Sequence, residues 1–152
     1  AFFKANLQET EYMNALSSGE IGRIEQSRQS LETIAQEQME KVKGFSDYEG
    51  ESDLKKACHD MLYFYYSEAK KYGPEQVNFF LLKAEMDEIS ATINSKKKKD
   101  LTQSEIDKYN TTTKSYNAAI NKYNETNAYL NKHRALRYEA WQKAGEKFQN
   151  RI

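Results

Sequence analysis

The last third of the chain, from Thr102 to Asn150, constrains the fold more than any other stretch. Stepping alternately three and four residues from Ile106 lands on Tyr109, Thr113, Tyr116, Ile120, Tyr123, Asn127, Leu130, Arg134, Arg137, Trp141, Ala144 and Phe148. That spacing, unbroken over about six heptads, predicts one long helix with a single partner-facing seam. Such a helix extends ~70 Å at roughly 1.5 Å per residue, so its seam needs partners along its length. Thr102-Gln103-Ser104-Glu105 predicts where it begins. In this capping box the threonine oxygen serves one free backbone N–H and the glutamate reaches back to serve another.

Upstream, Tyr12, Leu16, Ile21, Ile24, Leu31, Ala35, Met39 and Val42 recur at helical intervals and predict a helix from about Gln8 to Lys43. Ser17-Ser18-Gly19 and Gly22 are its weak point. The apolar phase continues across them, which favours a bend or a close helix contact; a true turn from Ser17 to Gly22 is the alternative. Gly44 to Glu51 reads as a loop, with Gly44 in the left-handed conformation that closes a helix. Ser52 or Asp53 then caps a second helix with the stripe Leu54, Cys58, Met61, Tyr65, Ala69 and Tyr72. Gly73-Pro74 either separates this helix from a third or kinks one continuous rod. The segment from Pro74 to about Ser95 is apolar nearly all round in its first half, which predicts the most buried part of the chain. Short connections force neighbours to run antiparallel. The expected fold is therefore all-α, an antiparallel up-and-down bundle of four helices in one domain spanning residues 1–152.

Composition narrows the function classes. Leu, Ile, Val and Phe are scarce, and 11 tyrosines stand in for them. A tyrosine brings a large apolar body with a polar tip. The 23 basic and 23 acidic side chains cancel, which removes the electrostatic case for nucleic acid. The one basic run, Lys96 to Lys99, falls where a helix ends and complements its dipole. A single cysteine, Cys58, rules out an internal disulfide, and its place on the apolar stripe marks a small core residue. The longest apolar run, Phe79 to Leu82, is far too short to span a bilayer. Because the chain opens at Ala1, any signal peptide would lie upstream.

Inside the last helix, Tyr109-Asn110, Tyr116-Asn117 and Tyr123-Asn124 repeat every seven residues, and Leu130-Asn131 keeps the phase. The period implies gentle left-handed supercoiling. These repeats, with Phe79-Phe80-Leu81, Thr102, Glu105-Ile106-Asp107, Asn127, Arg134 and Trp141, resemble a family of uncharacterised bacterial surface proteins named from Leptospira and also met in Bacteroidetes-type bacteria. The resemblance covers about the second half of the chain and, more thinly, the Tyr12 to Lys43 region. It implies an all-helical, exported protein at the cell surface or in the periplasm, lipid-anchored upstream of Ala1. That family carries no established activity, so no catalytic residue transfers from it.

The residues themselves commit to no reaction. His59 and His133 lack the Glu-x-x-His pairing of a carboxylate-bridged metal bundle, and no zinc or haem spacing occurs. No catalytic, cofactor-binding or metal-binding residue is expected. The local anomaly is a pair of arginines on the seam, Arg134 and Arg137, near His133 and Trp141. A buried arginine needs an acceptor. Either the seam opens to water there and the arginines snorkel, or they meet carboxylates such as Glu85 or Glu88, or Arg134, Arg137 and Trp141 build a small anionic or aromatic-stacking pocket. With Tyr116 and Tyr123, these three are the candidate contact residues. The expected function is a non-enzymatic exported interaction or structural module with an unknown protein or envelope partner, touching the membrane only through an upstream anchor. Its rival is a small-ligand-binding bundle with a tyrosine-rich interior pocket. An open groove would favour the first, and an enclosed cavity touching Tyr65, Tyr116 or Tyr123 the second.

Overall fold

The computed structural model describes residues 2–47 and 52–150, and among these it is helical almost throughout. Helix α1 (Phe2–Ser18) turns back into α2 (Ile21–Lys43). Helix α3 (Asp53–Ser67) passes through one π turn (Glu68–Tyr72) into α4 (Gly73–Ser95) without leaving the right-handed helical region. A short 3-10 turn (Lys98–Asp100) leads to α5 (Gln103–Gln149). The described residues thus form four rods in an all-α antiparallel bundle. Between the α3–α4 rod and α5 one residue number rises as the other falls: Asp53, Glu68, Phe79, Glu85 and Lys96 meet Lys147, Arg134, Tyr123, Thr112 and Glu105 in turn.

At both doubtful breaks the chain takes the second of the two readings, a true turn at Ser17–Gly22 and one continuous rod through Gly73-Pro74. The first helix does not bend at Ser17–Gly22 but ends there. Gly19 takes φ 72°, its N–H reaches the carbonyls of Ala15 and Leu16, and the chain reverses in two residues. An L-residue pays roughly 1–2 kcal/mol in that conformation, so glycine is what allows the turn. Gly44, expected to be left-handed, stays right-handed at φ −75°. Ser52 occupies the expected cap position, but its side chain makes no capping bond. Conversely, Gly73-Pro74 does not divide α3 from α4. The Gly73 N–H skips one carbonyl and bonds Glu68 O, which creates the π turn. Pro74 has no N–H to offer Lys70 O, so this widened turn absorbs the proline without a break.

The core lies where all four rods run together: Tyr12 and Leu16 of α1, Ile24 and Leu31 of α2, Met61 and Tyr65 of α3, and Leu130 of α5. Gly19, at the tip of the α1–α2 hairpin, sits against the Phe80 ring. Beyond Phe80, α4 and the first half of α5 continue as a pair, a stalk of roughly 20 Å at the helical rise. This overturns the expectation that early α4 is the most buried segment. Only Gly73, Gln76 and Ile89 are buried in α4, and Leu81 is 50% exposed, because a helix with one partner can bury only one stripe. The tyrosine seam holds as read. Tyr109, Tyr116 and Tyr123 are half-buried, and Phe79 stacks between Tyr116 and Tyr123 with ring centroids 5.9 and 4.2 Å away. The capping box forms, with Glu105 N–H donating to Thr102 Oγ1 and Thr102 N–H to the Glu105 carboxylate. No described helix is long and apolar enough to cross a membrane.

Candidate functional site

Three charged residues meet in the core beside the π turn. Arg134 donates from Nε to Glu9 Oε1 at 2.7 Å and from Nη2 to Glu68 Oε1 at 2.5 Å, and its Nη1 donates to Asn131 Oδ1 at 2.7 Å. Its guanidinium also lies over the Phe64 ring. Of the three accounts of the seam arginines, pairing with carboxylates is the one realised at Arg134, but the partners are Glu9 and Glu68 rather than Glu85 or Glu88. Glu85 instead accepts from Thr112. Glu68 is fully buried, and its second oxygen, Oε2, has no hydrogen-bond partner. Burial pushes its carboxyl up to about 7, against the opposing pull of Arg134 and with the added push of Glu9. Burial raises Glu9 too, again opposed by Arg134.

The π turn and α2 explain why this cluster sits where it does. Skipping one hydrogen bond frees the Ala69 carbonyl, and Arg28 Nη1 of α2 donates to it at 3.0 Å. Arg28 is held in place by a two-point pair with Glu25 and by Glu32. Gly73 gives it room, since a Cβ there would lie 2.6 Å from Arg28 Cδ. Beside Gly73, Tyr12 Oη donates to Gln76 Oε1 at 2.7 Å and Gln76 Nε2 to Asn127 Oδ1 at 2.9 Å. Tyr65 Oη donates to Asn6 Oδ1 at 2.8 Å. Burial and the nearby carboxylates hold the Tyr12 and Tyr65 phenols well above their ordinary range, so both stay neutral donors.

Arg134, Arg137 and Trp141 do not share a pocket; each faces a different space. Arg134 lines a small polar space of about 150 Å³ with Glu68, Gln76, Tyr123 and Asn127. Arg137 is largely exposed, 3.9 Å from Asp60, and lines a shallow groove of about 220 Å³ beside Tyr72, Tyr129 and His133. It is the arginine that snorkels. Trp141 stacks on Phe2 with centroids 4.7 Å apart and walls a third space at the end of the bundle. Tyr123 borders the polar space, whereas Tyr116 lies on the stalk side of Phe79.

That third space was not anticipated from the sequence. It is an open apolar groove of about 400 Å³ between the start of α1, the end of α2, the start of α3 and the end of α5. Phe2, Phe3, Phe45, Leu54, Trp141 and Phe148 form most of its wall. Phe3 is 77% exposed and Phe45 55%. Among the described residues its wall is mostly apolar, with Ser46 and Lys55 as polar members, and the Lys55 ammonium is engaged by Phe45 O at 2.7 Å and Asp47 at 3.4 Å. Cys58 borders the same groove half-buried, with its thiol pushed up by burial rather than activated. No group of three or more His, Cys, Asp or Glu side chains suited to a metal ion occurs among the described residues.

Fold and spaces together define an all-α antiparallel bundle with an apolar groove at one end and a buried charged cluster at mid-height. Compared with family models, curated proteins and solved structures, the chain matches none.

Proposed function

We propose that this chain is a non-enzymatic interaction module of a bacterial envelope, and that it takes the apolar face of a partner protein's helix into the groove at the Phe2 end of the bundle. The observation that carries this is the groove itself: open, apolar, drawn from α1, α2, α3 and α5, and rimmed by two phenylalanines standing in water. Sites for small molecules set a few free polar groups among apolar walls to fix orientation. Among the described residues here, Lys55 is already engaged, which leaves Ser46 as the free polar member of a mostly apolar wall. A helix laid in a groove needs no such groups, because its apolar side chains give both affinity and register. Against catalysis stands the fact that the raised carboxyls of Glu9 and Glu68 are tied to Arg134 inside the core. The envelope location and an anchor upstream of Ala1 rest on the Tyr-Asn repeats and their resemblance to the surface-protein family. The test places a photo-crosslinking side chain at position 45, or at Leu81 on the stalk as control, in the cells that make the protein. One discrete heterologous adduct at position 45, absent at position 81 and lost on Phe3→Asp, is expected. No adduct, equal adducts at both positions, or an adduct between two copies of this chain would overturn the reading.

A further inference from the structure

The shallow groove between the α3 rod and α5 carries an inference that does not depend on the end groove. Asp60, Tyr63, Ser67 and Lys71 line it at 3-4 spacing from one side, and Tyr129, His133 and Arg137 at four-residue spacing from the other. The rings hold one another in place: Tyr72 lies 5.3 Å and His133 4.1 Å from Tyr129, centroid to centroid. Yet Tyr63 stays 57% exposed and Tyr129 45%. Two cations stand among these rings. Among the described residues, Lys71 meets the face of the Tyr72 ring at 4.9 Å and no carboxylate. Arg137 comes no nearer than 3.9 Å to Asp60, beyond hydrogen-bond distance. The Tyr72 hydroxyl raises the Tyr129 phenol while Lys71 and Arg137 both draw it down, so both cations act on one hydroxyl. Against Asp60, Lys71 and Arg137 leave one positive charge over. Water satisfies such cations, but it does not satisfy the ring faces between them.

We infer that this groove binds one unit of an acidic sugar, a hexuronate whose carboxylate meets Arg137 and Lys71 and whose C–H face lies on the tyrosine rings. Such a unit answers the lining on three counts. Its one carboxylate cancels the one excess charge, and a guanidinium takes a carboxylate at two points. The C–H groups of a pyranose form an apolar face, which aromatic bodies cover while their hydroxyl tips stay wet. Its hydroxyls also give Asp60 something to accept. An aromatic acid without hydroxyls would meet Asp60 only as a like charge. A bare inorganic anion would leave the rings uncovered, and an acidic peptide side chain brings the charge with too small a face for them. The volume of about 220 Å³ is about seven water volumes at ~30 Å³ each, room for a single six-membered ring with its substituents toward the open side.

The test follows the ring protons of Tyr63 and Tyr129 by NMR during titration with sodium galacturonate. Galactose, sodium benzoate, N-acetylglutamate amide and sodium chloride are titrated in parallel at equal ionic strength. Galacturonate should shift both rings saturably with a Kd of about 1 mM, the scale for roughly a dozen non-hydrogen atoms in an open site. Galactose keeps the C–H face and loses the charge, so it should bind about tenfold more weakly. Arg137→Gln should weaken galacturonate about tenfold and Lys71→Gln somewhat less, and neither should alter galactose. Both positions are exposed, so both variants keep the core. Phe3→Asp, at the end groove, should change nothing. The assignment is overturned by galactose, benzoate or the glutamate amide binding as tightly as galacturonate, the last of which would give the groove to an acidic peptide. It is equally overturned by shifts that follow sodium chloride, by no saturation at several times the expected Kd, or by a titration unchanged in both cation variants.

Discussion

Replacing Arg134 by leucine removes the single cation that Glu9 and Glu68 share, and its cost should depend steeply on pH. Breaking a buried pair by removing one partner costs about 3–5 kcal/mol, because the other charge is left behind uncompensated. Glu68 is fully buried and the Glu9 side chain only 9% exposed, so neither can turn to water. The sign follows from the native protein. The Glu68 carboxyl rises from 4.5 to about 7 on folding, so between those values the folded state holds a proton that the unfolded chain has released. Its contribution is most favourable below about pH 4.5 and is lost as the pH rises to about 7, at ~1.4 kcal/mol per pH unit, or roughly 3 kcal/mol in all. Arg134 opposes that rise, so Arg134→Leu pushes both carboxyls higher and extends the falling limb above pH 7. The variant should lose about 3–5 kcal/mol near pH 8 and much less near pH 4, where both acids are protonated and a leucine among Met13, Phe64 and Leu130 is well housed. Urea unfolding followed by far-UV circular dichroism across this range measures it. An equal loss at both ends would refute the reasoning, since it would mean that Arg134 acts through the packing of its stem on Phe64 and not through its charge.

Glu68→Gln keeps the shape and removes one of two raised carboxyls, so its stability should decline clearly less between about pH 4.5 and 7 than the parent's, with Glu9 keeping the remainder; a parallel decline would move the origin of the slope to another group. Gly19→Ala should cost about 1–2 kcal/mol in the same unfolding assay, because φ at Gly19 is 72°, whereas Gly22→Ala, with open space around its Cβ, should be neutral or stabilising. Thr102→Ala should cost about 1 kcal/mol and fray the start of α5, seen as faster amide exchange at Glu105. The Lys96 ammonium and the Thr102 N–H hold the Glu105 carboxyl down at about 2, so its contribution is full above about pH 4.5 and fades as the pH falls toward 2.

The parts of the fold legible in the sequence are those set by local rules. The capping box at Thr102 satisfies backbone groups within one turn, and the 3-4 seam from Tyr109 to Leu130 needs only a neighbour of any kind. Burial was legible only in part, because it counts neighbours. Phe79, Phe80 and Leu81 carry apolarity enough for a core, but the α1–α2 hairpin stops at Gly19, so from Leu81 onward the helix has one partner instead of three. The continuing apolar phase across Ser17–Gly22 concealed that stop: a hairpin folded back on the same core keeps its apolar stripe on both sides of the turn. Of the end groove only Trp141 stood out in the sequence. The groove is assembled from the ends of α1, α2, α3 and α5, and Phe3 and Phe45 look in sequence like any frayed or loop residue.

The buried ion cluster was half visible, and the missing half shows a general rule. Arg134 stood out because it breaks an apolar seam. Glu9 does the same between Ala5 and Tyr12, and Glu68 between Tyr65 and Tyr72, each at 3-4 spacing on its own stripe. Charged side chains at seam positions on three different helices can avoid burial alone only by meeting one another, and two acids with one base can meet only with a charge left over. That residue of charge is a property of the set, invisible on any one helix. It also explains why the π turn persists. An ordinary α-helical turn would rotate everything after Glu68 by the angle of one residue, and Gln76 could not then reach both Tyr12 and Asn127 while Glu68 reaches Arg134. Removing the irregularity by deleting Lys70, an exposed residue within the turn, should therefore be more damaging than its exposure suggests: the polar network and the ion cluster would fall out of register together. Loss of the Glu68 slope in the pH profile of that deletion, alongside a drop in Tm, is the expected result, and an unaltered slope would separate the turn from the cluster.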